Sequence, residues 1–141
     1  MKKLKNFLIF ILLVLLASCI GTACGKGAGD GANQEQIIEI GTLGLEYELN
    51  GEGTGYRVSM SEGCTETEIV IPSYYNDLPV LEIADSAFKE SNIVSVEIGY
   101  NVTEIRNYAF KNCELLTDVI MPDTITHVEY SSFGGCKSLK K

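Results

Sequence analysis

The chain has 141 residues, which is enough for one domain and a tail but not for two full domains. Eleven basic residues oppose 19 acidic ones, so the net charge is −8, and basic residues cluster only within the first five positions. This distribution excludes a nucleic-acid-binding protein, because such proteins need clustered positive charge to contact phosphates. With 45% hydrophobic and 21% charged residues, the composition predicts a folded domain.

Residues 1–18 are predicted to be a lipoprotein signal peptide. Three lysines precede an apolar run at residues 7–17, which is too short to cross a bilayer core of about 30 Å as a helix. The sequence Leu16-Ala17-Ser18-Cys19 then resembles the bacterial lipobox, in which a signal peptidase cuts before a lipid-bearing cysteine. The resemblance implies a protein anchored in the cell membrane by lipid on Cys19 and facing the exterior.

Residues 19–36 are predicted to form a flexible tether, because glycine and small polar residues dominate there without periodicity. Cleavage before Cys19 leaves 123 residues with eight basic and 19 acidic side chains, a net charge of −11. Such acidity favours a body held away from anionic lipids and wall polymers.

An N-terminal β-hairpin cap is predicted at residues 37–68. Two runs of alternating apolar and polar residues, 45–49 and 56–60, flank an Asn-Gly loop. This pattern is typical of a hairpin, which we expect to cover the open edge of the first repeat. Residues 37–41 are a further candidate strand.

The C-terminal half repeats with a period of 22 to 23 residues. Aliphatic residues recur eight and five positions before each of three phenylalanines, and serine or cysteine recurs three positions after them. A period of this length is typical of a solenoid, whose turns bury apolar faces against their neighbours. We therefore expect a structural core in which the phenylalanines stack in one column. Its predicted members are Phe88, Phe110, Phe133, Cys113 and Cys136.

The segment Ile105 to Pro122 contains, in order, isoleucine, Ala-Phe, Cys, Leu and Val-Ile-Met-Pro. The spacing of these residues is similar to that of the BspA-type (treponemal) leucine-rich repeat. The resemblance covers roughly residues 69–139. It implies a mainly β fold: a leucine-rich-repeat solenoid of about three turns over residues 69–141, with the last repeat truncated, behind the hairpin cap. Short strands are expected at 96–98 and 119–121 and near 102–105 and 125–128, and Pro72 and Pro122 should end strands.

Residues able to carry chemistry form no recognisable catalytic, metal-binding or cofactor-binding pattern, so no such site is predicted. Cys113 and Cys136 share one repeat position. A disulfide or metal pair is one interpretation; a ladder of buried thiols is the one we favour, because stacked side chains point in parallel. His127 aligns with Glu82 and Glu104 and is predicted to face solvent.

Five tyrosines in inter-strand turns or at variable repeat positions form the candidate binding surface: Tyr74, Tyr75, Tyr100, Tyr108 and Tyr130. Aromatic residues are enriched at protein interfaces, but ordinary turn packing also explains these tyrosines and is the interpretation we favour from the sequence. The family resemblance implies a non-enzymatic, adhesin-like module that binds a protein or another ligand. Two alternatives stay open. One is an accessory or enzyme acting on wall or glycan, which needs convergent carboxylates; the other is a fragment of a longer repeat protein.

The sequence stops at Lys141, before any counterpart of the strand at 119–121. The C-terminal edge is therefore expected either to fray after about Met121 or to pair end to end with a second copy.

The lipobox interpretation predicts the outcome of two cysteine substitutions. Cys19→Ser should abolish incorporation of a labelled fatty acid and release the protein from the membrane fraction, because the lipid is bonded to the cysteine sulfur. Cys24→Ser is the matched control, since Cys24 lacks an aliphatic residue three positions upstream. It should leave labelling and fractionation unchanged. Lipid found on Cys24 would show that the assignment is wrong.

Overall fold

The structure is a computed structural model that describes residues 41–140. The predicted signal peptide, the tether with Cys19 and most of the candidate strand at 37–41 lie outside these residues. The described part consists of strands and turns, without a helix. The strands are β1 (Leu45–Leu49), β2 (Tyr56–Met60), β3 (Glu68–Ile71), β4 (Tyr74–Tyr75), β5 (Leu78–Ile83), β6 (Ser95–Ile98), β7 (Glu104–Ile105), β8 (Asp118–Ile120) and β9 (His127–Val128).

Two sheets run along the repeat axis. The larger has the order β1-β2-β5-β7-β9, with β4 pairing β5 beside this path, and the smaller has the order β3-β6-β8. Strands from successive turns pair in parallel, and the antiparallel pairs are β1 with β2 and β4 with β5. Parallel rungs joined by one chain turn each confirm the predicted solenoid. The strand ends at Ile71 and Ile120 lie just before Pro72 and close to Pro122, as expected for proline.

The hairpin caps the larger sheet and also forms its first rung. Strands β1 and β2 pair from Leu45 opposite Met60 to Leu49 opposite Tyr56. Strand β2 then pairs in parallel with β5, which sets Val58 beside Ile83. Both side chains are fully buried. The predicted hairpin cap is therefore confirmed, and its second strand continues the buried aliphatic column of the repeats.

The smaller sheet is closed at the same end by Thr42. Its backbone N–H donates to the Val70 carbonyl at 3.0 Å, and its hydroxyl accepts from the Val70 N–H at 2.7 Å. The Met60 N–H reaches the Ala87 carbonyl at 3.1 Å. The Thr42 bonds thus cover β3 at Val70, and the Met60 bond ties the end of β2 to the segment that precedes Phe88.

The third face of the solenoid consists of three equivalent segments, residues 84–91, 106–113 and 129–136, which we name the Phe turns. The rings of Phe88 and Phe110 stack with centroids 5.1 Å apart, and those of Phe110 and Phe133 at 5.0 Å. Phe88 and Phe110 are buried, whereas Phe133 is half-buried. The rings form the column that the repeat spacing predicts, in parallel-stacked geometry with interplanar angles of 3° and 7°.

Backbone bonds join the Phe turns in an alternating pattern. Every second N–H donates to a carbonyl of the next turn, and the N–H groups between them close bonds within their own turn. Positive φ angles two residues before and after each phenylalanine produce this alternation. They occur at Ser86 (57°), Tyr108 (59°) and Ser131 (52°), and at Glu90 (59°), Asn112 (59°) and Gly135 (80°). The inter-turn bonds run from Ser86, Phe88 and Glu90 to Asn107, Ala109 and Lys111, and from Tyr108, Phe110 and Asn112 to Tyr130, Ser132 and Gly134, at 2.7–3.1 Å.

The structure differs in two details from what the sequence predicts. Tyr74 and Tyr75 form strand β4 and do not lie in an irregular turn, because they pair with Leu78 and Pro79. Val128 shares the repeat position of the buried Ile83 and Ile105 but is 52% exposed. Among the described residues, no later strand pairs with β9 to cover Val128.

The position of each ring in the column predicts its contribution to stability. Phe110 stacks on both sides, so Phe110→Ala should lower the free energy of unfolding by about 3–5 kcal/mol. Phe133 has one stacked neighbour and is half-buried, so Phe133→Ala should cost roughly 1–2 kcal/mol. Urea unfolding followed by circular dichroism measures both values. Equal losses would contradict the picture of a column with one exposed end.

Candidate functional site

Tyr74 and Tyr75 lie on a small hairpin inserted between β3 and β5. Tyr74 pairs with Pro79 and Tyr75 with Leu78. Asn76 and Asp77 form the connection, with φ angles of 46° and 65°. Positive φ at both central residues is typical of a two-residue type I′ turn, which Asn and Asp tolerate better than most residues. The insertion therefore presents both tyrosines on a short but hydrogen-bonded ribbon.

Tyr100 lies on the equivalent connection of the next turn. Its N–H donates to the Ser73 hydroxyl at 2.9 Å, and the Asn101 side chain donates to the Ser73 carbonyl at 3.0 Å. This contact needs glycine at position 99, since a Cβ there would lie 2.5 Å from the Ser73 nitrogen. Residue 99 is where the later repeat has Pro122, so the departure from the repeat pattern has a packing reason.

Three tyrosines thus lie on two adjacent connections that hydrogen bonds join, and we name this set the tyrosine edge. Tyr74, Tyr75 and Tyr100 are 61%, 38% and 69% exposed. Exposed tyrosines on neighbouring turns are a feature that binding surfaces use, because tyrosine is enriched among the residues that contribute most to protein interfaces.

The hairpin cap supports the tyrosine edge from behind. The rings of Tyr47 and Tyr75 stack with centroids 3.8 Å apart and an interplanar angle of 8°. Tyr56 packs edge-on against both rings, at 6.2 Å from Tyr47 and 5.2 Å from Tyr75. Burial, followed by the charge interaction with Tyr75, raises the pKa of Tyr47 to about 12. Tyr75 is therefore held by contacts that fix its ring, while its other side stays accessible.

Tyr47 and Tyr56 were missed as candidates because the alternation in the hairpin marks them only as apolar strand residues. The sequence carries one signal of the inserted hairpin that holds their partner Tyr75. Val80 follows Pro72 by eight positions, whereas Val102 follows Gly99 and Ile125 follows Pro122 by three positions. The longer connection, with Asn76-Asp77 in it, marks an inserted turn in the first repeat.

The other two candidate tyrosines lie on the Phe turns. Tyr108 and Tyr130 contact each other edge to face at 5.6 Å. Tyr108 is half-buried, and the Lys111 ammonium lies 4.7 Å from the centre of its ring. Tyr130 is 73% exposed. The five predicted tyrosines therefore divide into two groups, of which the tyrosine edge exposes more aromatic surface.

Acidic side chains converge on Arg106, an arrangement that the sequence reading missed. Its Nη1 lies 2.9 Å from Glu104 Oε2 and 3.1 Å from Glu129 Oε1, and its Nε lies 3.6 Å from Glu82 Oε2. Partial burial lowers the pKa of Arg106, but the carboxylates of Glu129, Glu82 and Glu104 outweigh it and raise the pKa overall. The converging carboxylates are thus neutralised in part by one guanidinium and do not form the free pair that glycoside cleavage needs.

The cysteines at equivalent repeat positions form free thiols. Cys113 Sγ donates to the Phe88 carbonyl at 3.0 Å, and Cys136 Sγ to the Phe110 carbonyl at 3.1 Å. Burial is the main cause that raises the pKa of each thiol. In the first repeat Ser91 replaces cysteine, and its hydroxyl lies 3.4 Å from Cys113 Sγ. The thiols of Cys113 and Cys136 therefore each tie a turn to the previous one, and Ser91 contacts the thiol of the next turn.

His127 is exposed and lies in register with Glu104, as expected. Its Nδ1 is 2.9 Å from the Thr126 hydroxyl. Within residues 41–140, no group of three His, Cys, Asp or Glu side chains is placed to hold a metal ion. In the same range no helix is long and apolar enough to cross a membrane.

A family model described as BspA type leucine rich repeat region (6 copies) matches residues 61–141, more than half of the chain. The chain belongs to this family. The match begins eight residues before the first repeat predicted from the sequence. It begins directly after β2 and so leaves both hairpin strands outside the matched region.

Three solved structures of bacterial leucine-rich repeat proteins are similar to this chain. The Treponema pallidum protein TpLRR is 29% identical, with a TM-score of 0.64, over 68% of this chain and 45% of its own. A protein from Bacteroides capillosus is 25% identical (TM-score 0.65; 72% of this chain and 78% of that one). One from Bacteroides ovatus is 27% identical (TM-score 0.63; 73% and 28%). The chain therefore spans less than half of TpLRR. No curated protein matched the sequence.

The raised pKa of Tyr47 predicts how stability depends on pH. The folded pKa of about 12 exceeds the ordinary value of 10.0, so the folded protein holds this proton more tightly than the unfolded chain. The resulting stability is fully present below pH 10 and is lost as the pH rises towards 12. Tyr47→Phe has no proton to lose, so its free energy of unfolding should fall less steeply over that range. Urea unfolding at a series of pH values measures this, and identical slopes would contradict it.

Proposed function

We propose that this chain is a lipid-anchored bacterial surface protein whose leucine-rich-repeat solenoid binds a partner protein through the tyrosine edge. The observation that carries the proposal is the exposure of three tyrosines on two hydrogen-bonded, adjacent connections of a repeat fold used for binding. The matched structures are described as leucine-rich repeat proteins, which supports a binding module.

The physical state of these tyrosines suits a protein interface. A tyrosine has few rotatable bonds and buries a large apolar ring, so it gains contact area at a small loss of conformational entropy. Tyr75 is already held by the Tyr47 ring, and the turn of Tyr100 is tied to Ser73. Because these residues are ordered before binding, a partner would lose less free energy in fixing them.

The lipobox and the tether support presentation of this surface outside the cell. A lipid on Cys19 would hold the protein at the membrane, and the small polar residues that follow would let the solenoid extend from it. The net charge of −11 predicted for the mature chain favours a partner with a neutral or basic contact surface.

A random-peptide phage library panned on the full chain in detergent tests the tyrosine edge, because such libraries select peptides for the surface that binds best. Selected peptides should lose about tenfold or more in affinity for a Tyr74→Ser, Tyr100→Ser double variant, since truncating an interface tyrosine commonly costs more than 1 kcal/mol. The Tyr108→Ser, Tyr130→Ser double variant is the matched control and should bind them as the unmodified chain does. Peptides that bind both variants equally would show that the binding surface lies elsewhere.

A further inference from the structure

The rings of Tyr47 and Tyr75 meet differently from the other tyrosine pairs within residues 41–140. Their centroids lie 3.8 Å apart, and their planes are within 8° of parallel. This separation is the contact distance of carbon atoms, so the two ring faces touch. The other tyrosine pairs in contact there are Tyr47 with Tyr56, Tyr56 with Tyr75 and Tyr108 with Tyr130, and they meet edge-on, at interplanar angles of 81°, 84° and 88°.

Face-to-face contact is the geometry in which oxidation can join two phenols. A tyrosine that loses one electron and its phenolic proton becomes a radical, and much of its unpaired electron lies on the ring carbons ortho to the oxygen. The orbitals that hold this electron are perpendicular to the ring, so a carbon–carbon bond between two tyrosyl radicals forms through their faces. The stacked rings therefore bring reacting orbitals into line, whereas edge-on rings set them at right angles.

Tyr75 is the ring of this pair that a protein oxidant reaches first. It is 38% exposed, whereas Tyr47 is half-buried behind it. Burial raises the pKa of Tyr47 to about 12, so at neutral pH its phenol is protonated and must release a proton when it is oxidised. Because the rings touch, the Tyr75 radical can take an electron from Tyr47 and then be oxidised a second time.

We propose that Tyr47 and Tyr75 form a cross-linking site, at which a haem peroxidase and hydrogen peroxide join the two rings as dityrosine. Each ring loses one electron and its phenolic proton, and one peroxide takes up both electrons and both protons to become two water molecules. The two radicals then form a bond between one ortho carbon of each ring. The hydrogen on each of these carbons moves to the phenolic oxygen, which restores both aromatic rings.

The cross-link would fasten the hairpin cap to the inserted hairpin. Tyr47 lies on β1, which pairs with β2, whereas Tyr75 lies on β4, which pairs with β5. A covalent bond between residues 28 positions apart limits the conformations of the unfolded chain and so stabilises the folded one. Tyr74 and Tyr100 take no part in the reaction, so this proposal and binding through the tyrosine edge can fail separately.

Oxidation of the full chain in detergent tests the site. Accessible thiols are alkylated first, because they would otherwise consume the oxidant, and the dilute protein is then treated with a haem peroxidase and limiting hydrogen peroxide. The product should remain a monomer on a denaturing gel, lose two hydrogen atoms in intact mass, gain dityrosine fluorescence and yield one cross-linked peptide that contains Tyr47 and Tyr75. Its urea midpoint should rise, and an unchanged midpoint would contradict the fastening of the cap.

Phenylalanine variants are the matched controls, because they keep the ring and remove only the phenol. Tyr47→Phe and Tyr75→Phe should each lower the yield of intramolecular dityrosine by about tenfold or more, since no second aligned radical can form. Tyr130→Phe should leave that yield unchanged. A link mapped to Tyr108 and Tyr130 would show that stacking does not select the site. Cross-linking mainly between chains, or no dityrosine at all, would overturn the proposal.

Discussion

The structure depends on a constraint that acts between successive turns: each repeat must place its phenylalanine and its alternating backbone donors in register with the next. The stacked rings, about 5 Å apart, fix the same spacing that the backbone bonds of the Phe turns require. Ring stacking and backbone hydrogen bonding both involve the same Phe turn. A turn placed at the right spacing for one is therefore at the right spacing for the other. The parallel sheets on the other two faces then follow, since their strands are carried at the same spacing.

The repeat pattern was sufficient to predict the ring column and the parallel strands, because burial determines which residue types can occupy their core positions. Ile83, Ile105 and Phe110 lie inside the column, and a polar residue at any of them would leave an unpaired group among apolar neighbours. The positive φ of Tyr108 could not be predicted in the same way. Bulky residues seldom adopt that conformation, and only the register with the neighbouring turns imposes it.

The candidate site was predictable only in part, since its geometry depends on contacts that do not repeat. Tyr74, Tyr75 and Tyr100 were identified from their variable positions, but Tyr47 meets Tyr75 across 28 residues of sequence without a pattern that links them. Arg106 is an intermediate case. The alignment of Glu82 with Glu104 was evident from the repeat, whereas the side chain that joins them to Glu129 was not. Periodicity predicts the repeated strands of such a fold, whereas features that occur only once depend on tertiary contacts.

The opposite directions of the backbone bonds have a consequence for how long such a fold can become. In the Phe turns the inter-turn N–H groups point towards the C-terminal end, while those that flank the strands, such as Arg106 to Ile83 and Glu129 to Ile105, point towards the N-terminal end. In an α-helix all peptide dipoles align, and partial charges accumulate at its ends. Here the dipoles on different faces oppose one another along the axis. Each added turn therefore brings little net dipole along the axis, so partial charges do not accumulate at the two ends of the stack as they do in a helix.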